Sequence, residues 1–218
     1  MSLMNVPDDV NRKYSSVRRE AQAKETRLAI IRAAQRRFVE AGYAATSIDA
    51  IAKEAGVARA TVFTSVGGKP ALMKAAYDVA VVGDVEPIAL PDRPWAQGVR
   101  LAETQADLLK AYARMMQDVC ERLAPIYESL RGAATAESEL AELFAEVQRQ
   151  RRVGAANIVA MLAAKGPLRP DISSDEAGDI LWLLNDPGLY ALLVRQRGWT
   201  KERYADWLAA AMQRELLG

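Results

Sequence analysis

The chain has 218 residues, half of them hydrophobic, with 29 Lys and Arg against 28 Asp and Glu and a net charge of +1 at pH 7. It has no histidine and a single cysteine, Cys120, which excludes an internal disulfide and Ser-His or Cys-His catalysis, and leaves zinc without its ordinary donors. No apolar run approaches the ~20 residues of a membrane helix and the N-terminus lacks an apolar signal region, so the expectation is a cytoplasmic protein of one large or two modest domains.

Residues 1–75 hold 13 Lys and Arg against 7 Asp and Glu, a balance of +6, which leaves −5 for the remainder. A basic head beside an acidic body suits a chain that presents only its first part to nucleic acid. Residues 1–20 read as a basic flexible arm. Pro7, Asp8, Asp9 and Asn11 disfavour an early helix, and Arg12, Lys13, Arg18 and Arg19 cluster beside Tyr14. Such an arm can reach a minor groove or phosphates, although a solvated tail explains it equally well.

Residues 21–41 read as the first helix, with Leu28, Ile31, Ala34 and Phe38 in one stripe and Gly42 as the stop. Phe38 and Tyr43 are expected in the core. Thr46 then opens a second helix in a capping-box pattern with Asp49. Ile48, Ile51, Ala52 and Ala55 supply its apolar face, and Gly56 supplies the left-handed turn. A short helix from about Ala58 to Ser65 follows, stopped by Gly67-Gly68. Two such helices form a helix-turn-helix, whose second member lies in the DNA major groove. Arg59, Ala60, Thr61, Thr64 and Ser65 are expected outward, Val57 and Val62 inward. An ordinary helical hairpin has the same spacing. Lys69 opens a connecting helix over 69–82, and the proline-rich segment 83–94 reads as a loop.

F-x-x-x-G-Y, A-T-S-I-x-x-I-A-x-x-A-G-V, T-V-F and then a lysine opening a long helix occur here in fixed order between Thr26 and Val82. This closely resembles the DNA-binding domain of the TetR family of transcriptional regulators. From Pro125 onward the chain resembles the less constrained regulatory domain of actinobacterial-type members. The resemblance implies an all-α fold: a three-helix DNA-binding head over 21–68, the connecting helix 69–82, and a helical ligand-binding and dimerisation domain over 83–218. It implies operator contacts from Thr46, Arg59, Ala60, Thr61, Phe63, Thr64, Ser65 and Lys69. Thr46 and Lys69 match phosphate-contacting positions of the family, and Arg59 could take a guanine or a phosphate. Phe63 departs from the tyrosine common in relatives, so a phosphate-bonding hydroxyl is missing, and Ala58 departs from the usual capping serine.

In the body, apolar stripes predict helices from Trp95 to about Ala102, Glu103 to Leu123, Ile126 to Arg131 and Glu137 to Ala164, with a break or kink at Pro125. Ser173 with Glu176 is a capping box opening a helix that Pro187 should kink, and Thr200 caps the last helix. The final two helices carry more apolar surface than one monomer easily covers, and the resemblance implies that this pair meets a two-fold mate, through Leu181, Leu189, Leu193, Tyr204, Trp207 and Ala211. Tyr112, Met115, Met116, Tyr127, Phe144 and Trp182 are large, soft side chains suited either to a filled core or to a small-molecule site. The resemblance implies a small-molecule effector, and since no buried charge cluster is evident, that effector is expected to be largely apolar. The expected partners are operator DNA, that effector and a second copy, with no cofactor, no metal and no catalysis. An enzyme or ligand carrier with an incidental helix-turn-helix, and an activator or ligand-independent regulator, are the competing readings.

Overall fold

A computed structural model describes residues 8–88 and 92–217, with side chains from Arg18 onward. The described residues form ten α-helices with no strand. These are α1 (Asp8–Glu40), α2 (Ile48–Ala55), α3 (Arg59–Ser65), α4 (Lys69–Val82), α5 (Gln97–Leu101), α6 (Gln105–Ala133), α7 (Ser138–Ala163), α8 (Ser174–Leu184), α9 (Pro187–Tyr190) and α10 (Lys201–Leu216). Helix α6 is the axis of the body: α4, α5, α7, α9 and α10 all pack on it. None of the helices is long and apolar enough to cross a membrane.

The head is built by α1 to α4. Helices of seven or eight residues are too short to persist alone, so α2 and α3 depend on what covers their apolar faces. Ile30, Ile31 and Phe38 of α1, Ile51 of α2, Val62 of α3 and Leu72 and Met73 of α4 are fully or almost fully buried together. Each large side chain contributes about 1.5–3 kcal/mol by leaving water. The Phe38 and Tyr43 rings pack at 5.3 Å. Ser129 of α6 donates to the Phe38 carbonyl at 2.8 Å, which ties the end of α1 to the body.

Two expectations fail along the backbone. The arm over residues 1–20 is helical from Asp8, and residues 1–7 lie outside the described residues. Positions 18–25, RREAQAKE, are nearly all strong helix formers, which outweighs the breakers ahead of them. The break at Pro125 does not occur: α6 runs through it as one element of 29 residues, where the sequence predicts separate helices ending at Leu123 and starting at Ile126. The missing hydrogen bond costs about 3 kcal/mol. Burial of Leu123, Ala124, Ile126, Tyr127 and Leu130 on either side offsets it. Pro187 does more than kink its helix. Asp186 caps a fresh start there, accepting from the Gly188 N–H at 2.7 Å, and proline occupies the first turn, where no N–H is needed. The chain then widens into a π-helical turn over Ala191–Gln196.

The Ser173–Glu176 capping box forms with both reciprocal hydrogen bonds, and Thr200 caps α10. The loop after α4 is held by Arg93, whose side chain is 4% exposed. It pairs with Asp84 at 2.7 Å and donates to the Val82, Glu86 and Ile88 carbonyls. Arg122 of α6 donates to the Ala80 and Val81 carbonyls, both at 3.2 Å. Two arginines thus satisfy carbonyls that the end of α4 leaves without helical partners.

Candidate nucleic-acid interface

Ser47 caps α2, accepting from the Ala50 N–H at 3.1 Å. The expected capping box of Thr46 with Asp49 does not form. Thr46 is 3% exposed, and its hydroxyl is directed to the Gly42 carbonyl at 2.7 Å and the Arg37 carbonyl at 3.1 Å. It pins the turn between α1 and α2, so its side chain is withdrawn from any phosphate. Gly56, at φ +69°, ends α2, and its N–H bonds back to Ala52 and Lys53. Val57 and Val66 pack against the core on either side of buried Val62, which fixes the roll of α3. Ala58 makes no side-chain cap.

That roll leaves Arg59, Ala60, Phe63 and Thr64 exposed and Thr61 and Ser65 half-buried. Phe63, 45% exposed, is an aromatic ring on an otherwise small and polar surface, the kind of group that meets a thymine methyl. Thr64 Oγ1 donates within its own helix, 3.1 Å from the Ala60 carbonyl, so toward a ligand it is an acceptor. Arg59 is the only charged residue of α3. Its Nη1 meets Asp49 Oδ2 at 2.5 Å, and its guanidinium lies 5.5 Å from the centre of the Phe63 ring. Lys69 opens α4 with its ammonium 4.2 Å over the Tyr43 ring, a cation–π contact that holds it at the edge of this surface.

Part of the positive charge counted in the sequence is structural. Arg36 and Arg37 of α1 both bind Glu54 of α2, the first at 2.6 Å. The Arg36 hydrogen bond, with Arg37 beside it, holds the Glu54 carboxyl below its usual range. Arg27 donates to the Ser65 carbonyl at the end of α3. These arginines brace the two short helices. Asp49 and Ser47 are the residues of this surface that sequence reasoning missed. A serine directly before an apolar helical stripe was a legible cap signal, whereas an ion pair ten residues apart had none.

The body departs further from expectation. Leu181, Tyr204 and Ala211 are buried inside the protomer and so cannot form a surface for a mate. Leu189, Leu193 and Trp207 are half-buried. Helix α10 is a core helix lying on α6, its apolar stripe covered within the chain. The large apolar side chains left outside here are Leu183, 62% exposed, and Leu192, 49% exposed. Of the six candidate ligand residues, Tyr112 and Tyr127 are buried, and Met115, Met116, Phe144 and Trp182 are half-buried. They divide between two packed cores. Trp182 also lines an open depression with Arg152, Asp179, Ile180 and Leu183.

Between the two cores lies a polar network, against the expectation of no buried charge. The Arg151 side chain is 10% exposed and pairs with Asp186 at 2.8 Å. It also donates to the Trp182 carbonyl at 3.0 Å and to Asn185 Oδ1 at 3.1 Å, and lies over the Tyr127 and Trp182 rings. Tyr127 donates to Asp186 at 2.8 Å, and Asn185 donates to the Tyr112 hydroxyl, also at 2.8 Å. Burial pushes both phenols up to about 12, so they stay protonated at neutral pH. Trp182 Nε1 and Glu128 Oε1 are buried without a hydrogen-bond partner among the described residues. Cys120 is buried, and burial pushes its thiol up to about 12, which makes it inert. Among the described residues no cluster of acidic, histidine or cysteine side chains could hold a metal ion.

Residues 30–76 match the family model of bacterial regulatory proteins, tetR family. Over these residues the chain is similar to the DNA-binding region of that family. The matched residues run from the second half of α1 into α4 and so include the whole helix-turn-helix. Solved TetR-like structures extend the likeness to the body as a fold. A Rhodococcus sp. protein described as a TetR-family transcriptional regulator has a TM-score of 0.68 at 17% identity, covering 88% of this chain and 98% of that one. NalD of Pseudomonas aeruginosa, the secondary repressor of the MexAB-OprM multidrug efflux pump, has a TM-score of 0.64 at 20% identity, covering 90% and 98%. A Saccharomonospora viridis transcriptional regulator in complex with choline has a TM-score of 0.66 at 17% identity, covering 89% and 98%. No curated protein matches the chain. The match to this family's DNA-binding region makes the chain a TetR-like transcriptional regulator, and α3 lies within the matched residues.

Proposed function

We propose that this chain is a cytoplasmic, non-enzymatic repressor that binds a two-fold operator as a homodimer and leaves it when a small molecule occupies the body. The carrying observation is the surface of α3. Arg59, Ala60, Phe63 and Thr64 stand outward on a seven-residue helix whose end Arg27 holds, while Arg36, Arg37 and Thr46 fix α2 and the turn before it. A brace of that kind positions side chains against base edges. Ser65 and Lys69 take phosphates at its edge, and Thr61 adds a hydroxyl beneath.

The two-fold mate packs on the face that carries Leu183 and Leu192, with Leu189 and Leu193 at its margin. The effector is largely apolar with one polar group. It displaces the soft side chains Met115, Met116 and Phe144 between α6, α7 and α8, and its polar group meets the Arg151–Asp186 network and Trp182 Nε1. It acts through its differential affinity for two arrangements of α4 against α6. The repressor sense is supported by NalD, which shares the fold.

The test is selection of bound DNA from a random duplex library at two salt concentrations. The expected result is a two-fold-related consensus with half-sites roughly 34 Å apart, or a related spacing, and affinity that falls with salt. Diffuse binding that vanishes at moderate salt would overturn the assignment.

A further inference from the structure

Arg59 is a single cation on a recognition surface, and its partner is a carboxylate on the same surface. Asp49 sits in the first turn of α2 and Arg59 at the first position of α3. Their side chains are 66% and 56% exposed. An ion pair this open adds little to stability, and the head already has its brace in Glu54 with Arg36 and Arg37. The pair therefore needs another reason. A carboxylate here also opposes DNA phosphates, and it cancels the charge that Arg59 would bring to one. An arginine meant only to neutralise phosphate is poorly served by such a neighbour.

Base recognition is served well. The guanidinium has five N–H groups in a rigid plane, and guanine N7 and O6 accept two of them side by side. Asp49 engages Nη1 at 2.5 Å, and the Phe63 ring lies 5.5 Å from the guanidinium carbon. Nε and Nη2 have no protein partner among the described residues. An arginine held on one edge loses less rotamer freedom when the opposite edge binds.

We propose that Asp49 is a specificity-determining residue, which holds Arg59 by Nη1 so that the Nε–Nη2 edge reads one guanine in each half-site. The proposal rests on α3 being the element that enters the major groove. It assigns Arg59 to a base where the sequence left base and phosphate open, and it makes Asp49 a positioning residue that touches no DNA itself.

The experiment uses the full chain, wild type beside Arg59→Ala, Arg59→Lys and Asp49→Asn, each checked by circular dichroism and thermal melting. Random-duplex selection is followed by titration on the selected duplex and on duplexes with single replacements. Wild type should select one guanine per half-site whose replacement costs about tenfold or more in affinity. Arg59→Ala should lose that preference and keep the rest of the consensus. Arg59→Lys, a point charge without the fork, should keep the salt dependence and lose most of the discrimination. Asp49→Asn should bind random duplex several-fold more tightly, having lost a negative charge, while its discrimination at the guanine falls several-fold. Undiminished discrimination in folded Asp49→Asn overturns the positioning role. A two-fold consensus without an Arg59-dependent guanine overturns the inference and leaves the operator-binding assignment standing. Absence of any consensus in wild type removes both.

Discussion

Thr46 donates its hydroxyl to the Gly42 carbonyl at 2.7 Å, four residues earlier in the chain, and so closes the turn between α1 and α2 from inside. Thr46→Val removes that donor and leaves two half-buried carbonyls, of Gly42 and Arg37, with poorer partners. The expected loss is about 1–3 kcal/mol of stability, read as a lower melting temperature. The folded variant should keep the salt slope of operator binding, because no phosphate contact is lost. Ser47→Ala should cost about 1 kcal/mol through the cap of α2. A reduced salt slope in Thr46→Val would return the residue to the DNA surface.

Leu183 and Leu192 remain exposed although every large apolar side chain of α10 is at least half-buried. Leu183→Glu with Leu192→Glu should give a folded monomer in sedimentation, with operator affinity reduced at least about tenfold, since two half-sites are no longer bound together. Tyr204→Ala should behave differently. Its ring is fully buried against Tyr190 and Trp207, so the loss is one of folding stability, about 3–5 kcal/mol. A Leu183/Leu192 variant that stays dimeric would place the interface elsewhere.

Arg151 and Asp186 lie 35 positions apart and meet between the two cores. Arg151→Met leaves the Asp186 carboxylate facing the Tyr127 hydroxyl with its charge unmatched. The expected cost is about 3–5 kcal/mol in urea unfolding, toward the lower end because Asp186 keeps some contact with solvent. Arg151→Met combined with Asp186→Asn should recover a substantial part, because the uncompensated charge is gone. Equal losses in the single and double variants would show that Arg151 acts by packing alone.

Glu54 titrates below the ordinary carboxylate range because of its Arg36 hydrogen bond and the adjacent Arg37. A depressed folded-state value means that the stabilisation is present above the unfolded-state value and is lost as pH falls through the folded one. Glu54→Gln should therefore lower stability at neutral pH by about 1 kcal/mol. The gap between the two proteins should close as pH falls below the usual carboxylate range. Parallel melting curves across the whole acid range would rule the contribution out.

Most helices of the head and body could be read from their apolar stripes, and their ends from Gly42, Gly56, the Ser173–Glu176 pair and Thr200. These signals are local: a period of 3.6, a backbone only glycine adopts easily, a hydroxyl facing free N–H groups. The misreadings share a cause. Pro125 carries a local penalty that only tertiary burial on both sides of it could offset. Tyr204 and Ala211 belong to a stripe that says which face is apolar but not what covers it, and α6 of the same chain covers it. The choice between Thr46 and Ser47 as cap turned on a register of one residue. Asp49 with Arg59, and Arg151 with Asp186, are encounters between elements, and no spacing along the chain announces them.

Val119, Leu123, Ile126 and Tyr127 of α6 share one core with Ile30, Phe38, Ile51 and Val62 of the head. A seam drawn after residue 68 or 82 would cut through that core. Excised at either point, the head would expose the side of α1 and α4 that α6 covers, and it should melt or aggregate. The intact chain should unfold in one step as seen by any probe placed in this core. For the proposed dimeric repressor this would mean stiffness. In the proposed dimer the two heads would not swing on tethers, and the distance between them would follow how the two protomers lean on each other and how α4 is seated on α6.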